Sequence, residues 1–236
     1  MVLDSLAGSS WFSTLDMKSG YWQVGMDPKD QEKTAFATGD GLWEFSVMPF
    51  GLCNSPATFS RLMQQVLQDV PSSSCLKYLD DLVVHGKTFQ EELGHLREVL
   101  RKLEAAGLKL NPKKCHLFQR QVQYLGHVVS EKGVATDPAK IEAVVDWPQP
   151  KSVTEVRSFL GLCSYYRRFV HSFADIARPL HVLTEDNRPF VWNDQCQEAF
   201  EKLKRALTAS PVLVLPTGED NFVLDTDASN VGVGAV

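Results

Sequence analysis

The sequence lacks the features that would place a protein in a membrane or outside the cell. Its 236 residues contain no apolar run approaching the roughly 18 residues of a membrane-spanning helix. The N-terminus lacks the basic-then-apolar order of a signal peptide. The five cysteines are scattered and form no Cys-x-x-Cys pair, which argues against a disulfide framework and a zinc site. We therefore expect an intracellular protein with no membrane partner.

The sequence also lacks an excess of positive charge. The formal net charge is −5, which argues mildly against nucleic-acid binding. Local charge departs from this average, because residues 97–120 carry seven Lys or Arg against two Glu, and residues 151–181 carry five against two acidic residues. Either cluster is compatible with an ordinary solvated helix face or with a surface for nucleic acid.

The first half of the chain mixes strand and helix signals. Segments rich in β-branched and aromatic residues, broken by Gly, Pro or Asp, predict strands and hairpins within 11–17, 19–28, 33–51, 75–86 and 108–130. Ser55 as the N-cap and Pro56 in the first turn predict the start of a helix over 54–70. Thr88 and Glu91 predict a capping box before a second helix. The apolar stripe of that helix, expected in the core, is Leu93, Leu96, Leu100 and Leu103. Helices segregated from hairpins predict an α+β fold.

The second half is predicted to be mostly helical. Asp137-Pro138 opens a short helix, Ser152 and Glu155 form a capping box for a helix reaching about residue 169, and another helix spans about 194–207. Residues 134–210 are therefore interpreted as a separate subdomain. The tail over 221–236 returns to a strand pattern.

Three aspartates are the candidate catalytic groups. Asp16 ends one predicted strand, and Asp80 and Asp81 occupy a predicted hairpin turn. If the two strands are neighbours, the three carboxylates converge, and such a cluster stays ionised only with cations between the oxygens. Hard oxygen ligands suit Mg²⁺, and two ions roughly 4 Å apart can hold the attacking and leaving oxygens of a phosphoryl transfer. The alternative is a solvated turn, since Asp is a favoured turn residue.

A series of motifs resembles reverse transcriptases. The segment "YLDD" resembles the active-site hairpin of reverse transcriptases, which carries their catalytic aspartate pair. The segment "FSTLDMKSGYWQV" resembles their strand with the first catalytic aspartate. The segments "KTAFAT" and "GLWEFSVMPFGLCNSPATFSRLM" together resemble the family's motif that supports the template and the incoming nucleotide. The segment "YLGHVVS" resembles the family's primer grip. The family's order continues in "GLKLNPKKC", "VRSFLGLCSYYRRFV", "PFVWNDQCQEAFEKLK" and "LDTDASNVGVGAV". Covering nearly the whole chain, the series resembles the polymerase of gypsy-type LTR retrotransposons.

The resemblance implies a fold and a domain order. It implies a right-hand polymerase palm with partial fingers over 1–133, a thumb-like helical region over 134–182 and a connection-like region over 183–220. Residues 221–236 would be the start of a ribonuclease H-like domain. Relative to the family, both ends of the chain are expected to be cut, and the upstream fingers with their basic residues are expected to be missing.

The resemblance also implies roles at the nucleotide site. Asp16, Asp80 and Asp81 match the catalytic metal-binding triad for two Mg²⁺ ions, with Mn²⁺ as an alternative. Met17 matches the residue whose backbone helps to hold the metal. Tyr21 matches the aromatic steric gate that excludes a 2′-hydroxyl, although its residue type alone fits an ordinary strand aromatic. The remaining nucleotide-binding positions are Phe50 and Gly51, the latter allowing close backbone approach.

Further roles concern the nucleic acid. The primer grip matches Tyr124, Leu125, Gly126 and His127. The thumb would track phosphates through Arg157, Arg167 and Arg168, with Tyr165 and Tyr166 interleaved. We interpret Arg157 and Arg168 as sharing one helix face. Asp227 matches the first metal carboxylate of ribonuclease H.

The resulting hypothesis is an RNA-directed DNA polymerase core. Its partners would be an RNA or DNA template with a primer and deoxynucleoside triphosphates, and a homodimer stays open. The location would be cytoplasmic virus-like particles or the nucleus. The competing hypothesis is a retroelement-derived remnant that binds nucleic acid without polymerising. A two-metal nuclease has only Asp227 in its favour.

Overall fold

The computed structural model describes residues 2–186, 188–209, 211, 213–215, 226–229 and 232–235. Its α-helices are α1 (Pro28–Gln31), α2 (Ser55–Val66), α3 (Phe89–Ala105), α4 (Pro138–Val145), α5 (Val153–Tyr165), α6 (Phe173–Val182) and α7 (Asp194–Thr208). Its strands are β1 (Trp11–Asp16), β2 (Phe36–Thr38), β3 (Gly41–Trp43), β4 (Cys75–Tyr78), β5 (Asp81–Gly86), β6 (His116–Gln119), β7 (Gln121–Tyr124), β8 (His127–Ser130), β9 (Gly133–Thr136), β10 (Thr226–Ser229) and β11 (Gly232–Ala235). Helices mixed with antiparallel strands confirm the predicted α+β class. Within the described residues, no helix is long and apolar enough to span a bilayer.

The central sheet has the strand order β4-β5-β1-β6, and its pairings are antiparallel. Helices α2 and α3 contribute to the same buried cluster as the sheet, in which Phe59 and Leu96 lie with Leu15, Leu82 and Val84. Strand β1 lies between β5 and β6, and its last residue, Asp16, pairs with Asp81 of β5. The sheet therefore places the carboxyl end of β1 beside the β4–β5 hairpin.

A second sheet, β7-β8-β9, joins the central part of the chain to the helices that follow. Its buried Val122 and Val129 belong to one hydrophobic cluster with Val156, Phe159 and Leu203 from α5 and α7. The helical region 134–210 therefore shares a core with the strands before it. The division into palm, thumb, connection and ribonuclease H parts stays a prediction.

Two predicted capping boxes are confirmed. Thr88 Oγ1 accepts a hydrogen bond from the Glu91 N–H at 3.2 Å, and Ser152 Oγ accepts one from the Glu155 N–H at 3.3 Å. These bonds satisfy backbone donors that a helix leaves free in its first turn. Local sequence is sufficient here because both partners lie three residues apart.

The predicted cap at Ser55 is wrong. Asn54 occupies the N-cap position of α2, without a side-chain capping bond. Ser55 is buried, and its Oγ donates to the Pro49 carbonyl at 3.1 Å. The Ser55 hydroxyl therefore bonds to a residue six positions earlier in the chain and does not cap the helix.

Two further local predictions need correction. The stretch 19–28 forms a 3₁₀ turn over Gly20–Gln23 and the start of α1 rather than a strand. Leu100, expected in the core with the rest of its stripe, is 38% exposed, and Val99 is buried instead. The predicted hairpin within 33–51 is present as β2 and β3, whose residues are all exposed.

Strand β1 and helix α3 are joined by a buried polar pair. Ser13 Oγ donates to Glu92 Oε1 at 2.5 Å, and Glu92 is fully buried. Glu92 Oε2 has no hydrogen-bond partner among the described residues. Burial raises the pKa of Glu92 above its ordinary value of 4.5, while the bond from Ser13 acts in the opposite direction.

We expect Glu92→Gln to stabilise the fold at neutral pH. Above pH 4.5 the unfolded chain releases the Glu92 proton while the folded chain retains it, so wild-type stability falls as pH rises toward the folded pKa. Glutamine does not ionise, and we expect a gain of about 1–3 kcal/mol at pH 8 that vanishes near pH 4.5. Urea unfolding across this pH range measures it. Glu104→Gln, at an exposed position of the same helix, is the control. Identical pH profiles for wild type and Glu92→Gln would contradict the prediction.

Candidate active site

The aspartates of the two predicted catalytic strands are aligned in the central sheet. Strands β1 and β5 pair so that Asp16 lies opposite Asp81. Opposed residues of an antiparallel pair project to the same face, with Cβ atoms roughly 4.5–5.5 Å apart. Asp80 lies in the two-residue turn before Asp81, because Tyr78 pairs with Asp81. The two strands are therefore neighbours in the sheet, which is the condition under which the sequence predicts that the carboxylates converge.

Burial and nearby negative charges at this hairpin oppose the ionisation of Asp81. The pKa of Asp81 is raised, first by burial and then by the negative charges of Asp80 and Asp16. The positive charge of Lys114 acts in the opposite direction. A further cation at this position would relieve the remaining repulsion.

Lys114 is a site residue to which the sequence assigns no role. Its Nζ lies 3.6 Å from Asp16 Oδ2. The segment before Lys114 is anchored to the same strand end, since the Asn111 N–H donates to the Asp16 carbonyl at 2.9 Å. The motif "GLKLNPKKC" contains this lysine, but nothing local indicates that the motif returns to the end of β1.

Two clefts open beside Asp16. One, of about 420 Å³, is lined by Asp16, Asp80, Tyr21, Phe50 and Lys114 among others. The other, of about 390 Å³, is lined by Asp16 and Asp81 together with Tyr124 and Leu125. The carboxylates thus separate the predicted nucleotide-binding residues from the predicted primer grip.

The donor set suits a hard divalent cation. Carboxylate oxygens are the ligands that Mg²⁺ prefers, and the pKa of Asp81 is raised by burial first and then by the negative charges of Asp80 and Asp16. Within the part of the chain that the structure describes, no three His, Cys, Asp or Glu side chains already surround a single metal position. The backbone brings the carboxylates together, but their side chains are not gathered around one point.

Aromatic packing fixes the position of Tyr21. Its ring centroid lies 5.2 Å from that of Phe50 and 5.6 Å from that of Phe59. The adjacent Gly20 allows this packing, because a Cβ there would lie 2.9 Å from Phe59 Cζ. Tyr21 therefore lies against α2 while lining the cleft of Asp16 and Asp80.

Phe50 lines the same cleft, and Gly51 follows it in the chain at an exposed position. Phe50 is 58% exposed, and its ring also lies 5.8 Å from that of Trp22. Gly51 has a left-handed φ of 90°, which favours glycine. Both positions are accessible to a ligand that enters beside Tyr21.

Gln23 is a second residue that the sequence does not single out. Its Nε2 donates to the carbonyls of Lys18 and Lys109 at 2.8 and 2.9 Å. Its Oε1 accepts from the Lys109 N–H at 2.7 Å. This side chain ties the turn that carries Tyr21 to the segment preceding Lys114, over a separation of 86 residues.

The predicted primer grip is a tight turn between β7 and β8. Tyr124 pairs with His127, so Leu125 and Gly126 form a two-residue loop. His127 is buried, and its pKa is lowered by burial and by the positive charge of Arg168. His127 Nδ1 lies 2.7 Å from the Leu125 carbonyl, which makes this nitrogen the donor.

The thumb arginines do not share one helix face. Helix α5 ends at Tyr165, and Arg168 lies in a separate 3₁₀ turn after it, so the predicted common face with Arg157 is wrong. Arg157 Nη2 donates to the Thr184 carbonyl at 2.9 Å, and Arg168 Nη2 lies 4.0 Å from Asp4 Oδ1. Arg167 is exposed.

The aromatic neighbours of these arginines also differ from expectation. Tyr166 is only 1% exposed, so it offers no stacking surface to nucleic acid, whereas Tyr165 is 51% exposed. Both rings contact His127 of the predicted grip. Their predicted role beside the phosphate-tracking arginines therefore fails for Tyr166.

Asp227 lies in β10, where its backbone pairs with Gly234 of β11. Its side chain and residues 216–225 lie outside the described part of the chain. The assignment of Asp227 to a ribonuclease H site therefore stays a prediction.

Comparison with known families gives two matches. Residues 1–129 match the family described as "Reverse transcriptase (RNA-dependent DNA polymerase)". Residues 192–236 match the "RNase H-like domain found in reverse transcriptase". The first match covers the region whose motifs resemble a polymerase palm, and the second includes the segment 221–236 that resembles the start of ribonuclease H.

Curated relatives are Pol polyproteins of transposons. The whole chain is 41% identical to the Pol polyprotein of transposon 297 and 37% identical to that of transposon gypsy, both from Drosophila melanogaster. It is 35% identical to the transposon Tf2-3 polyprotein of Schizosaccharomyces pombe. It covers 22%, 24% and 18% of these proteins, so it spans about a fifth of their length.

Solved structures give the same picture of the fold. The chain matches a foamy viral protease-reverse transcriptase in complex with double-stranded DNA with a TM-score of 0.86 and 27% identity, covering 97% of this chain and 40% of that one. It matches the foamy viral protein in complex with an RNA/DNA hybrid with a TM-score of 0.82 and 27% identity, covering 97% of this chain and 31% of that one.

Proposed function

Because this chain belongs to the reverse transcriptase (RNA-dependent DNA polymerase) family, we propose that it carries a palm active site for nucleotide transfer onto a primer 3′ end. The observation that carries the proposal is the register of Asp16 opposite Asp81. Asp16, at the end of β1, therefore lies beside the "YLDD" turn, at the same end of two neighbouring central strands. The two clefts that meet there provide space for a nucleotide on one side and a primer end on the other.

The metal requirement follows from the carboxylates. Asp16, Asp80 and Asp81 would hold two Mg²⁺ ions, or Mn²⁺, with the Met17 backbone as an additional ligand. Bound there, the ions would supply charge neutralisation and a clamp for the attacking and leaving oxygens. The hard oxygen donors and the raised pKa of Asp81 support this fit.

The nucleotide would lie in the cleft lined by Tyr21 and Phe50. The Tyr21 ring, packed between Phe50 and Phe59, would lie under the sugar and clash with a 2′-hydroxyl. The open, glycine-containing backbone at Gly51 would let the substrate approach. This arrangement supports deoxynucleoside triphosphates as the substrate class.

The primer and template would extend from the second cleft along the helical region. Residues Tyr124 to His127 would position the primer 3′ end. Correct positioning of the reacting groups can supply much of the reduction in the free-energy barrier of phosphoryl transfer. Arg157, Arg167 and Arg168 would contribute positive charge along the duplex. The foamy viral neighbours, solved with double-stranded DNA and with an RNA/DNA hybrid, support such a ligand.

The family assignment also underlies proposals about the whole protein. The match over 192–236 supports a Pol protein with an attached ribonuclease H, of which Asp227 would be the first metal carboxylate. The similarity to transposon Pol polyproteins is compatible with action inside the cell, and the proposed compartment is either cytoplasmic virus-like particles or the nucleus. A homodimer is the remaining proposal for its assembly.

Primer extension tests the function. A labelled DNA primer annealed to an RNA template is incubated with the chain, Mg²⁺ and one nucleotide at a time, and binding is followed in parallel by fluorescence anisotropy. We expect extension only with the complementary nucleotide, and none in EDTA. Binding without extension would contradict catalysis and support a nucleic-acid-binding remnant. Absence of both would contradict both functions for this chain.

A further inference from the structure

We propose that Tyr165 and Tyr166 are positioning residues that lock the grip turn, Leu125–Gly126, onto helix α5 and thereby place the primer 3′ end. The inference rests on the proposed function, since it concerns the predicted primer grip. It assigns to two side chains of the helical region a role in the geometry of the palm.

The grip turn needs an external support. Two-residue hairpin loops with both central residues at positive φ favour Asn-Gly or Gly-Gly. Here the first central residue is Leu125, with φ 47°, followed by Gly126 with φ 65°. A left-handed conformation costs a residue with a Cβ roughly 1–2 kcal/mol. The sequence of the turn therefore does not explain its conformation.

Hydrogen bonds from the last residue of α5, Tyr165, and from the next residue, Tyr166, supply this support. The Tyr165 hydroxyl donates to the Leu125 carbonyl, and the Tyr166 hydroxyl donates to the Gly126 carbonyl at 2.6 Å. Burial raises the pKa of Tyr166 to about 12 and also raises the pKa of Tyr165, so both hydroxyls keep their protons at neutral pH. Adjacent residues of one helix end thus hold both carbonyls of one turn.

Close packing reinforces the hydrogen bonds. A Cβ at Gly126 would lie 3.4 Å from both Tyr165 Cε1 and the Tyr166 hydroxyl. The ring of His127 lies 5.3 Å from that of Tyr165 and 5.5 Å from that of Tyr166. His127 Nδ1 donates back to the Leu125 carbonyl, so three side chains converge on the turn.

The position of the turn matters because it faces the carboxylates. Leu125 and Tyr124 line the same cleft as Asp16 and Asp81. A displacement of the turn would move the primer end relative to the reacting phosphate, and misplacement by about 1 Å can cost roughly a hundredfold in rate. The tyrosines therefore act on the reaction through the backbone that they hold.

The test removes single oxygen atoms. Tyr165→Phe, Tyr166→Phe and the double variant keep the rings and lose the hydroxyls. Ser158→Ala is the matched control, because it removes a hydroxyl of the same helix that bonds within the helix, to Thr154. Amide hydrogen exchange over residues 124–128 is measured without nucleic acid, and primer extension and primer-template affinity are measured separately.

Each single variant is expected to exchange the turn amides about fivefold faster and the double variant about thirtyfold faster, because each lost hydrogen bond is worth roughly 1 kcal/mol. The maximal extension rate of the double variant should fall about tenfold or more, with the KM for nucleotide and the primer-template affinity unchanged. Unchanged exchange would overturn the proposal, and faster exchange with an unchanged rate would overturn the positioning role. An inactive wild-type chain would count against the proposed function, while the exchange result would still decide whether the tyrosines hold the turn.

Discussion

Asp80→Asn and Asp16→Asn are each expected to abolish primer extension. Asparagine keeps the size of the side chain but removes a negative charge that would balance the charge of the divalent cations. Losing one electrostatic contact to the transition state typically costs a hundredfold to thousandfold in rate, and we expect a loss of at least about this size. Single-nucleotide extension at saturating Mg²⁺ measures it.

The controls separate a catalytic loss from a folding defect. Asp69→Asn alters a carboxylate that pairs with Lys102 and lines neither cleft, and it should extend primers at the wild-type rate. Thermal unfolding should be unchanged in all three variants, because Asp16 is only partly buried and Asp80 is exposed. Extension that survives Asp80→Asn would show that the metal site has been assigned to the wrong residues.

Tyr21→Val is expected to relax discrimination against ribonucleotides. The ring of Tyr21 would clash with a 2′-hydroxyl, and forced overpacking costs roughly 1–3 kcal/mol. Removing this clash should lower the preference for a deoxynucleotide between about 5- and 150-fold. The ratio of kcat/KM for the deoxynucleotide to that for the matching ribonucleotide is the measurement.

Tyr21→Phe is the matched control for the ring. It loses the hydroxyl but keeps the packing against Phe50 and Phe59, so the discrimination should stay at the wild-type level. A loss of discrimination equal to that of Tyr21→Val would mean that the hydroxyl, rather than the bulk of the ring, selects the sugar.

Local interactions explain what could be predicted without the structure. The capping bonds of Thr88 and Ser152 join residues three positions apart, and the hairpin of β4 and β5 follows from short apolar segments around Asp80. The order of the motifs was sufficient for the family, since each motif is a contiguous stretch. Cap signals located α4 and α5 for the same reason, whereas α6 was not predicted.

Contacts between distant segments explain what was missed. Lys114 meets Asp16 across 98 residues, and Gln23 meets Lys109 across 86. No local sequence pattern predicts such a contact, because any polar side chain can bind a distant polar group that folding brings within reach. The exposed position of Leu100 has the same origin, since the helix period does not say which part of a stripe is covered.

By itself, the sequence determined the fold class, most elements, the family and the candidate carboxylates, because these depend on short-range patterns. Only the tertiary structure decided that Asp16 lies opposite Asp81, since strand register depends on pairing across the sheet. It also decided that Tyr166 is buried against the grip turn instead of facing nucleic acid. The physical reason is that the partner of a side chain is chosen by how the whole chain packs.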